Sequence, residues 1–425
     1  METLLSLALA IFAGLMLSRL AKLLKLPAVT AYLVTGILIG PDLLGKLGVE
    51  GLGLSQTQIG DFTIICDVAL GFIAFSIGNE FRLSQLKQIG KKATVIGIAQ
   101  AVFATLVVDV ALITLHFILG DKFPLEAAIV LGAVASATAP AATLMVVRQY
   151  KAKGPVTDTL LPVVAIDDAV GLVLFAISFG VAKAMMSGPV ELVSVIVEPI
   201  LEVLLSLGLG AVMGLLFTYF ERFFHSRSKR LSMSVAFVFL TVGISMMNFE
   251  ICGIHIAFSS LLSCMMLGTI FCNFCDFSEQ LMDRLERWTA PLYILFFVIS
   301  GAKLDLDVLG DGLIVLAGVV YIAFRSLGKY CGAGLSSKLV KAEPNVKKYL
   351  GITLLPQAGV ALGMAMKAVE LGSVGGVSVG LIVTNITLFS VLIYELVGPY
   401  LTKVALTKAG EIDPEGKVSA RVKAE

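Results

Sequence analysis

Two adjacent carboxylates lie inside an otherwise apolar stretch of the chain. Asp167 and Asp168 follow Leu-Pro-Val-Val-Ala-Ile and precede Ala-Val-Gly-Leu-Val-Leu-Phe. An ionised side chain at the centre of a bilayer costs roughly 3 kcal/mol or more, so such groups usually face a bundle interior and serve a function. A pair that snorkels to an interface is the alternative. Two carboxylates held in one dry space would raise one another's proton affinity, which suits uptake and release of protons near neutral pH.

A cationic side chain occurs in a second apolar stretch near the end of the chain. Arg325 lies within Tyr-Ile-Ala-Phe-Arg-Ser-Leu-Gly. A buried guanidinium needs an acidic partner or backbone carbonyls, because it does not lose its proton in proteins. We expect Arg325 to compensate the charge of Asp167 or Asp168. Lys329, one turn further along, is expected to snorkel to a membrane face.

Helix breakers interrupt two other apolar stretches. Pro140 follows Ala-Ser-Ala-Thr-Ala, and Pro356 is followed by Gln-Ala-Gly359. Proline removes one backbone donor and frees a carbonyl one turn earlier. A simple kink is the alternative for each proline alone. Non-helical backbone at membrane depth persists only where protein or water satisfies its polar groups.

The composition identifies the class of protein that must position these groups. Of 425 residues, 57% are hydrophobic and 15% are charged, whereas soluble chains carry roughly a quarter charged residues. A soluble protein is therefore excluded, and the net charge of +1 gives no argument for a nucleic-acid partner. The composition predicts an all-α membrane protein.

Apolar windows long enough to cross a bilayer recur along the whole chain. We predict about thirteen transmembrane helices, near residues 4–22, 28–40, 57–80, 91–118, 125–148, 156–184, 191–223, 230–248, 254–273, 280–302, 311–337, 347–370 and 375–405. Lysine and arginine concentrate in every second loop, beginning after the first window. The expected location is the cell (inner) membrane. The positive-inside rule then puts the N-terminus outside and the C-terminus in the cytoplasm.

The two breaks occupy corresponding positions in the two halves of this chain. With the seventh window as a connector, Pro140 and Pro356 both fall in the fifth window of their half, and the halves have opposite orientation. Matching interrupted helices in inverted halves indicate the midplane site of a secondary transporter. The fold prediction is two inverted-topology repeats whose broken helices cross at the midplane.

At these residues the sequence resembles a known superfamily, the monovalent cation/proton antiporters, which includes bacterial sodium/proton antiporters and sodium/hydrogen exchangers. The likeness extends over essentially the whole membrane portion. The segments that carry it are Asp167-Asp168 with the following Ala-Val-Gly-Leu, the Thr138-Ala139-Pro140 break, residues 72–80, residues 296–301 and the Arg325 helix.

The resemblance implies a mechanism and a set of site residues. Asp168 would carry the cation and the proton, and Asp167 is typical of the double-aspartate branch. Thr138 and Ser136 would help to line a site in which Na⁺, Li⁺ or K⁺ binds at Asp168 and Asp167. Pro140, Pro356 and Gly359 would form the broken helices. No cofactor is expected beyond the transported cation and H⁺, and the expected partners are the lipid bilayer and a second copy of the chain.

The resemblance also implies a domain organisation. Residues 1–406 would form a single membrane domain with a mobile core, about 91–184 and 311–406 with parts of the third and tenth spans. The remaining spans would form a dimerisation scaffold against which the core moves like an elevator. Residues 407–425 are expected to be a short, disordered cytoplasmic tail.

Two positions depart from the pattern of the superfamily. Ala139 stands before the proline of the crossed helix, where an acidic residue is common. Arg325 stands where electrogenic double-aspartate members often have a lysine, which can give up a proton while arginine cannot. We hypothesise that Arg325 holds one carboxylate ionised, so that exchange becomes one-for-one.

Several functions compete with Na⁺- or Li⁺-coupled proton exchange, which is favoured. A K⁺/H⁺ antiporter, or a channel-like K⁺ efflux pathway, is the alternative within the superfamily. A membrane enzyme is not expected, because intramembrane aspartyl proteases carry their two aspartates on separate helices. A purely structural protein would leave the cost of Asp167, Asp168 and Arg325 unexplained.

Overall fold

The computed structural model describes most of the chain: residues 2–23, 28–45, 54–79, 81–139, 143, 146–147, 150–186, 192–247, 249–251, 254–256, 258–275, 277–304 and 312–412. The predicted break residue Pro140 lies outside the described residues.

Helices dominate the described residues. In chain order they are α1 (Glu2–Leu23), α2 (Ala28–Ile39), α3 (Gln56–Asp61), α4 (Thr63–Asn79), α5 (Leu83–Leu119), α6 (Leu125–Val134), α7 (Pro155–Met186), α8 (Leu192–Glu221), α9 (Arg227–Ser245), α10 (Ser260–Phe274), α11 (Ser278–Ala302), α12 (Gly312–Leu339), α13 (Pro344–Thr353), α14 (Gly359–Ala368) and α15 (Val379–Lys408).

The predicted helical membrane architecture is confirmed in outline, since helix occupies every one of the thirteen windows. Within the described residues, seven helical segments are long and apolar enough to cross a membrane: Leu4–Ala21, Gln56–Asn79, Gly90–Leu119, Pro155–Met186, Ile200–Glu221, Gly312–Leu339 and Val379–Lys408. Helices α2, α6 and α10 are apolar but shorter. The count of thirteen crossings and the inverted repeat stay predictions.

Two short antiparallel hairpins connect helices, and neither was predicted. The strands β1 (Phe249–Ile251) and β2 (Ile254–Ile256) pair before α10, and β3 (Ser373–Val374) pairs with β4 (Val377–Ser378) before α15. Gly375 and Gly376 connect the second pair with φ of 58° and 83°. Two consecutive positive φ angles are what a tight hairpin turn requires, and glycine adopts them without a steric penalty.

The helices pack in two groups, which meet most extensively where α7 contacts α8. Helices α5, α6, α7 and α12–α15 contact one another extensively, and so do α1, α2, α4 and α8–α11. In the second group, backbones approach closely at glycines: a Cβ on Gly36 or Gly301 would overlap a carbonyl oxygen of the facing helix in the α2–α11 pair. Small residues permit such close approach between membrane helices.

The chain packs against the rest of the protein for several residues beyond Thr407, where the C-terminal tail is predicted to begin. Helix α15 continues to Lys408, and the segment 409–412 packs against the rest of the protein, with Glu411 and Ile412 both buried. The composition of the last residues is polar, but Glu411 is held by hydrogen bonds to the start of α7. Residues 413–425 lie outside the described part of the chain.

Candidate ion-binding site at two crossing helix breaks

Two interrupted helices cross at the centre of the first packing group. Helix α6 ends at Val134, residues 135–139 are not helical, and helix is present again at residues 143, 146–147 and 150. Helix α13 ends at Thr353, residues 354–358 are not helical, and α14 begins at Gly359. The two non-helical segments, called the first and the second break below, bring unpaired backbone groups together in the interior.

The two breaks satisfy part of each other's backbone. The amide of Ala139 donates to the carbonyl oxygen of Pro356 over 2.9 Å. The Gln357 side chain donates from Nε2 to the carbonyl of Val134 over 2.9 Å. Buried polar groups persist only when they are hydrogen-bonded, so these contacts hold the breaks against each other.

One stripe of α12 lines the two breaks with polar side chains. Tyr321, Arg325 and Lys329 are spaced by four residues, lie on one face of the helix, and are completely buried. The Tyr321 hydroxyl accepts from Gln357 Nε2 over 2.9 Å. The stripe therefore contacts the crossing at three successive levels, one helical turn apart.

Arg325 binds backbone carbonyls of both breaks. Its Nε donates to Ala135 O over 3.0 Å, one terminal nitrogen donates to Ala137 O over 2.6 Å, and the other donates to Leu355 O over 2.7 Å. We expected a carboxylate partner, Asp167 or Asp168, and the observed hydrogen bonds correct that expectation. The rigid, five-donor guanidinium suits three carbonyls fixed in different directions.

Lys329 forms the ion pair that was assigned to Arg325. Its Nζ lies 2.8 Å from Asp167 Oδ2, and both side chains are fully buried. The same nitrogen donates to Thr138 Oγ1 over 2.9 Å and to the carbonyl of Ser136. The prediction that Lys329 snorkels to a membrane face is wrong, because α7 offers it a carboxylate and the first break offers it a carbonyl and a hydroxyl in the interior.

Asp167 accepts three hydrogen bonds at one of its carboxylate oxygens. Besides Lys329, its Oδ2 accepts from Gln100 Nε2 and from Thr138 Oγ1, each over 2.7 Å. Its other oxygen, Oδ1, has no hydrogen-bond partner within the part of the chain that the structure describes. Gln100 Oε1 is buried without a partner in the same sense. Two buried oxygen acceptors therefore belong to adjacent groups in the site.

Asp168 faces the first break. It is 3% exposed, and its Oδ1 accepts from the backbone amide of Thr138 over 3.2 Å. Thr138 thus contacts both aspartates, through its amide and through its hydroxyl. A break in the helix is what makes this amide available, because a helical amide would already be paired with a carbonyl four residues earlier.

The other predicted site residues lie at the crossing in different roles. Ser136 contributes its carbonyl to Lys329, while its hydroxyl bonds the carbonyl of Ala133 over 2.6 Å. Pro356 contributes the carbonyl that pairs with Ala139, and Gly359 starts α14 beside the ring of Phe297.

Sequence reasoning missed Gln100, Lys329 and Gln357. The spacing of Tyr321, Arg325 and Lys329 was a usable signal, since residues four apart share a helix face. Gln100 and Gln357 are uncharged, and nothing in their local sequence distinguishes them from other amides in apolar helices.

These features define the class of protein. Long apolar helices surround a fully buried set of two carboxylates, a lysine and an arginine at crossing helix breaks, which is the construction of a multi-pass membrane protein with an intramembrane ionic site.

Comparison with known sequences then assigns the family. The model of the sodium/hydrogen exchanger, transmembrane family matches residues 7–404, so the chain belongs to the sodium/hydrogen exchanger family. It is 23% identical over 413 residues to the Na(+)/H(+) antiporter NhaS4 of Synechocystis, covering 93% of this chain and 94% of that protein. It is 24% identical to Na(+)/H(+) antiporter 1 of Methanocaldococcus jannaschii, covering 83% and 80%. These relatives are transporters and not enzymes.

A solved structure has the same fold. The sodium proton antiporter MjNhaP1 from Methanocaldococcus jannaschii at pH 8 superposes with a TM-score of 0.75 at 20% identity, covering 96% of this chain and 99% of that one.

Proposed function

We propose that this protein is a secondary antiporter that exchanges one monovalent cation, Na⁺ or Li⁺ in preference to K⁺, for protons across a membrane. Membership of the sodium/hydrogen exchanger family and the names of the Synechocystis and Methanocaldococcus relatives support the exchange and the cation.

The observation that carries the proposal is the charge balance of the site. Asp167, Asp168, Arg325 and Lys329 are all buried, and their formal charges sum to zero when every group is ionised. With Asp168 protonated the sum is +1, and a cation added in that state would raise it to +2 in a region of low dielectric, which is strongly unfavourable. A cation can therefore bind only when a proton leaves, and this exclusion couples the two ions.

The ligands available at the crossing suit a hard cation. Asp167 Oδ1 and Gln100 Oε1 are buried oxygen acceptors that receive no hydrogen bond from any described residue, and the breaks add backbone carbonyls. Hard cations take oxygen ligands from carboxylates, amides and carbonyls. Asp168, with the amide of Thr138 as its neighbour, is proposed to exchange its proton for the cation.

The two packing groups support a moving-core mechanism. The group that contains the crossing, α5–α7 with α12–α15, is proposed to move as an elevator against the other group, which would also form the contact with a second copy. The predicted orientation, with the C-terminus cytoplasmic, is supported by the contact between Glu411 and the start of α7. That contact brings the C-terminal segment beside Lys151 and Lys153, which belong to one of the basic connections between predicted spans.

A proteoliposome assay tests the proposal. Wild-type protein in vesicles with an imposed pH gradient is expected to collapse that gradient when Na⁺ or Li⁺ is added, with a smaller response to K⁺. Asp168→Asn is expected to reduce the rate at least hundredfold, because the amide cannot carry a proton or neutralise the cation. Asp158→Asn is the matched control, since Asp158 is an exposed aspartate on the same helix.

Two results would contradict the proposal. Full activity of Asp168→Asn would remove that residue from its role. Conduction of the cation without collapse of the pH gradient would replace exchange by a channel-like pathway.

A further inference from the structure

The start of the helix that carries both aspartates lacks a capping side chain of its own. The first four amides of a helix have no partner inside the helix, and an adjacent Ser, Thr, Asp or Asn usually accepts from one of them. At the start of α7 that position is occupied by Gly154, which has no side chain. Pro155 has no amide hydrogen, and the Asp158 amide donates to Gly154 O over 2.9 Å.

Glu411, from the other end of the chain, accepts from the two remaining amides. Its Oε1 accepts from Val156 N over 2.7 Å, and its Oε2 accepts from Thr157 N over 2.8 Å and from Thr157 Oγ1 over 2.7 Å. The carboxylate is 8% exposed. Its negative charge also lies at the positive end of the helix dipole, which adds to the stabilisation.

The absence of a side chain at Gly154 leaves room for the Glu411 side chain. A Cβ at Gly154 would lie 2.5 Å from Glu411 Cγ and 2.6 Å from Cδ. The position that usually supplies a cap is thus kept free of a side chain, and the space is filled by Glu411.

The segment around Glu411 contacts the ends of three helices that lead to or from the crossing. The Lys153 amide donates to Glu411 O over 3.2 Å, and Asn345 Nδ2 in α13 donates to Ala409 O over 3.0 Å. Ile412 is buried in a cluster with Val146 and Val156. Helix α7 leads to the aspartates, the helix of Val146 comes from the first break, and α13 leads to the second.

We propose that Glu411 is a positioning residue for cation exchange. As a cap supplied from the C-terminal segment, it fixes the axial position of α7. It thereby holds Asp167 and Asp168 in register with Lys329 and Thr138. Asp167 lies about 18 Å along α7 from the cap at 1.5 Å per residue. An axial shift of α7 would change the 2.8 Å ion pair and the 3.2 Å amide contact directly. A displacement of about 1 Å at a reacting centre can cost roughly a hundredfold in rate.

The test measures the Na⁺ concentration for half-maximal exchange (KM) together with the maximal rate and the thermal midpoint of purified protein. Glu411→Ala and a chain that ends at Lys408 are expected to raise KM three- to tenfold. Glu411→Gln, which retains acceptor oxygens but not the charge, is expected to raise it by less. Glu343→Gln is the matched control, since Glu343 precedes α13 at the same membrane face and makes no capping hydrogen bond. A chain that ends at Glu415 is the control for truncation.

The outcomes separate this inference from the proposed function, on which it rests. A raised KM in the Ala variant and the shorter chain, with both controls at the wild-type value, supports positioning. An unchanged KM with only a lower thermal midpoint or yield makes Glu411 merely structural and overturns the inference. Should Glu411→Ala not be recovered, Glu411→Gln decides by the same measure. Absence of exchange in the wild type would instead contradict the proposed function.

Discussion

At the scale of single residues, the partners of Lys329 and Arg325 differ in kind although the two side chains lie one helical turn apart on α12. Arg325 donates to three backbone carbonyls, whereas Lys329 donates to a carboxylate in addition to a carbonyl and a hydroxyl of the first break. The rigid guanidinium fits fixed carbonyls and keeps its charge, while an ammonium can release its proton. We therefore propose that Arg325 has a structural role and that Lys329 is the cationic side chain that can exchange its proton.

The buried pair of Lys329 and Asp167 leads to a prediction about stability. Lys329→Gln leaves Asp167 as a buried charge without its cation, and breaking such a pair costs about 3–5 kcal/mol. The double variant Asp167→Asn/Lys329→Gln removes both charges and is expected to recover most of the thermal midpoint but not the exchange activity. The thermal midpoints of the wild type, the two single variants and the double variant in detergent form a double-mutant cycle. The exposed Lys338→Gln is the control. Additive losses in the double variant would show that the two charges are not coupled.

The sequence predicts only those site residues whose charge stands out in an apolar stretch. Asp167, Asp168 and Arg325 were selected because a charge in an apolar stretch is costly, and all three are buried at the crossing. Lys329 was misplaced because a long side chain near a helix end can reach water, and the sequence does not show that a carboxylate is closer. The partner of Arg325 was also misjudged, since free carbonyls at a break leave no trace in composition.

At the scale of helices, proline predicted the second break, but contacts between elements were beyond the sequence. The helix is interrupted at residues 354–358, around Pro356, as expected because proline removes a backbone donor and leaves a carbonyl one turn earlier without its partner. That the amide of Ala139 pairs with Pro356 O depends on the crossing geometry. The C-terminal segment illustrates the same limit, because a polar composition does not reveal that Glu411 has partners more than 250 residues away in the chain.

The close α2–α11 contact leads to a prediction about helix packing. A Cβ on Gly301 would overlap the Leu33 carbonyl oxygen, so the two backbones must separate in Gly301→Ala. Overpacking of this kind costs typically 1–3 kcal/mol. Gly243, in α9, has no atom within 4 Å of its would-be Cβ, and Gly243→Ala should be neutral or slightly stabilising. The thermal midpoint of Gly301→Ala is expected to lie below that of Gly243→Ala. Equal midpoints would mean that α2 and α11 can separate without loss of stability.

At the scale of the whole molecule, two groups of helices share the chain, and the ionic site lies entirely in one of them. Arg325 joins both breaks, Lys329 joins the first break to α7, and Glu411 joins α7 to the end of α15. These links make the site-bearing group a connected body. A connected body can carry bound ions without losing their ligands, which is what the proposed movement requires.

The net charge moved by that body in each cycle is the last prediction. The hypothesis of one-for-one exchange rested on arginine as the partner of a carboxylate, and the observed partner is Lys329. When a cation displaces the ammonium from Asp167, Lys329 can release a proton in addition to that of Asp168, so two protons would move against one cation.

We therefore expect reconstituted protein to produce a current on a Na⁺ jump, and an imposed membrane potential to change its exchange rate. In Lys329→Arg the guanidinium keeps its proton, so any exchange that remains should be insensitive to the potential. Wild-type exchange that is active but carries no current would restore the one-for-one stoichiometry and exclude Lys329 as a proton carrier.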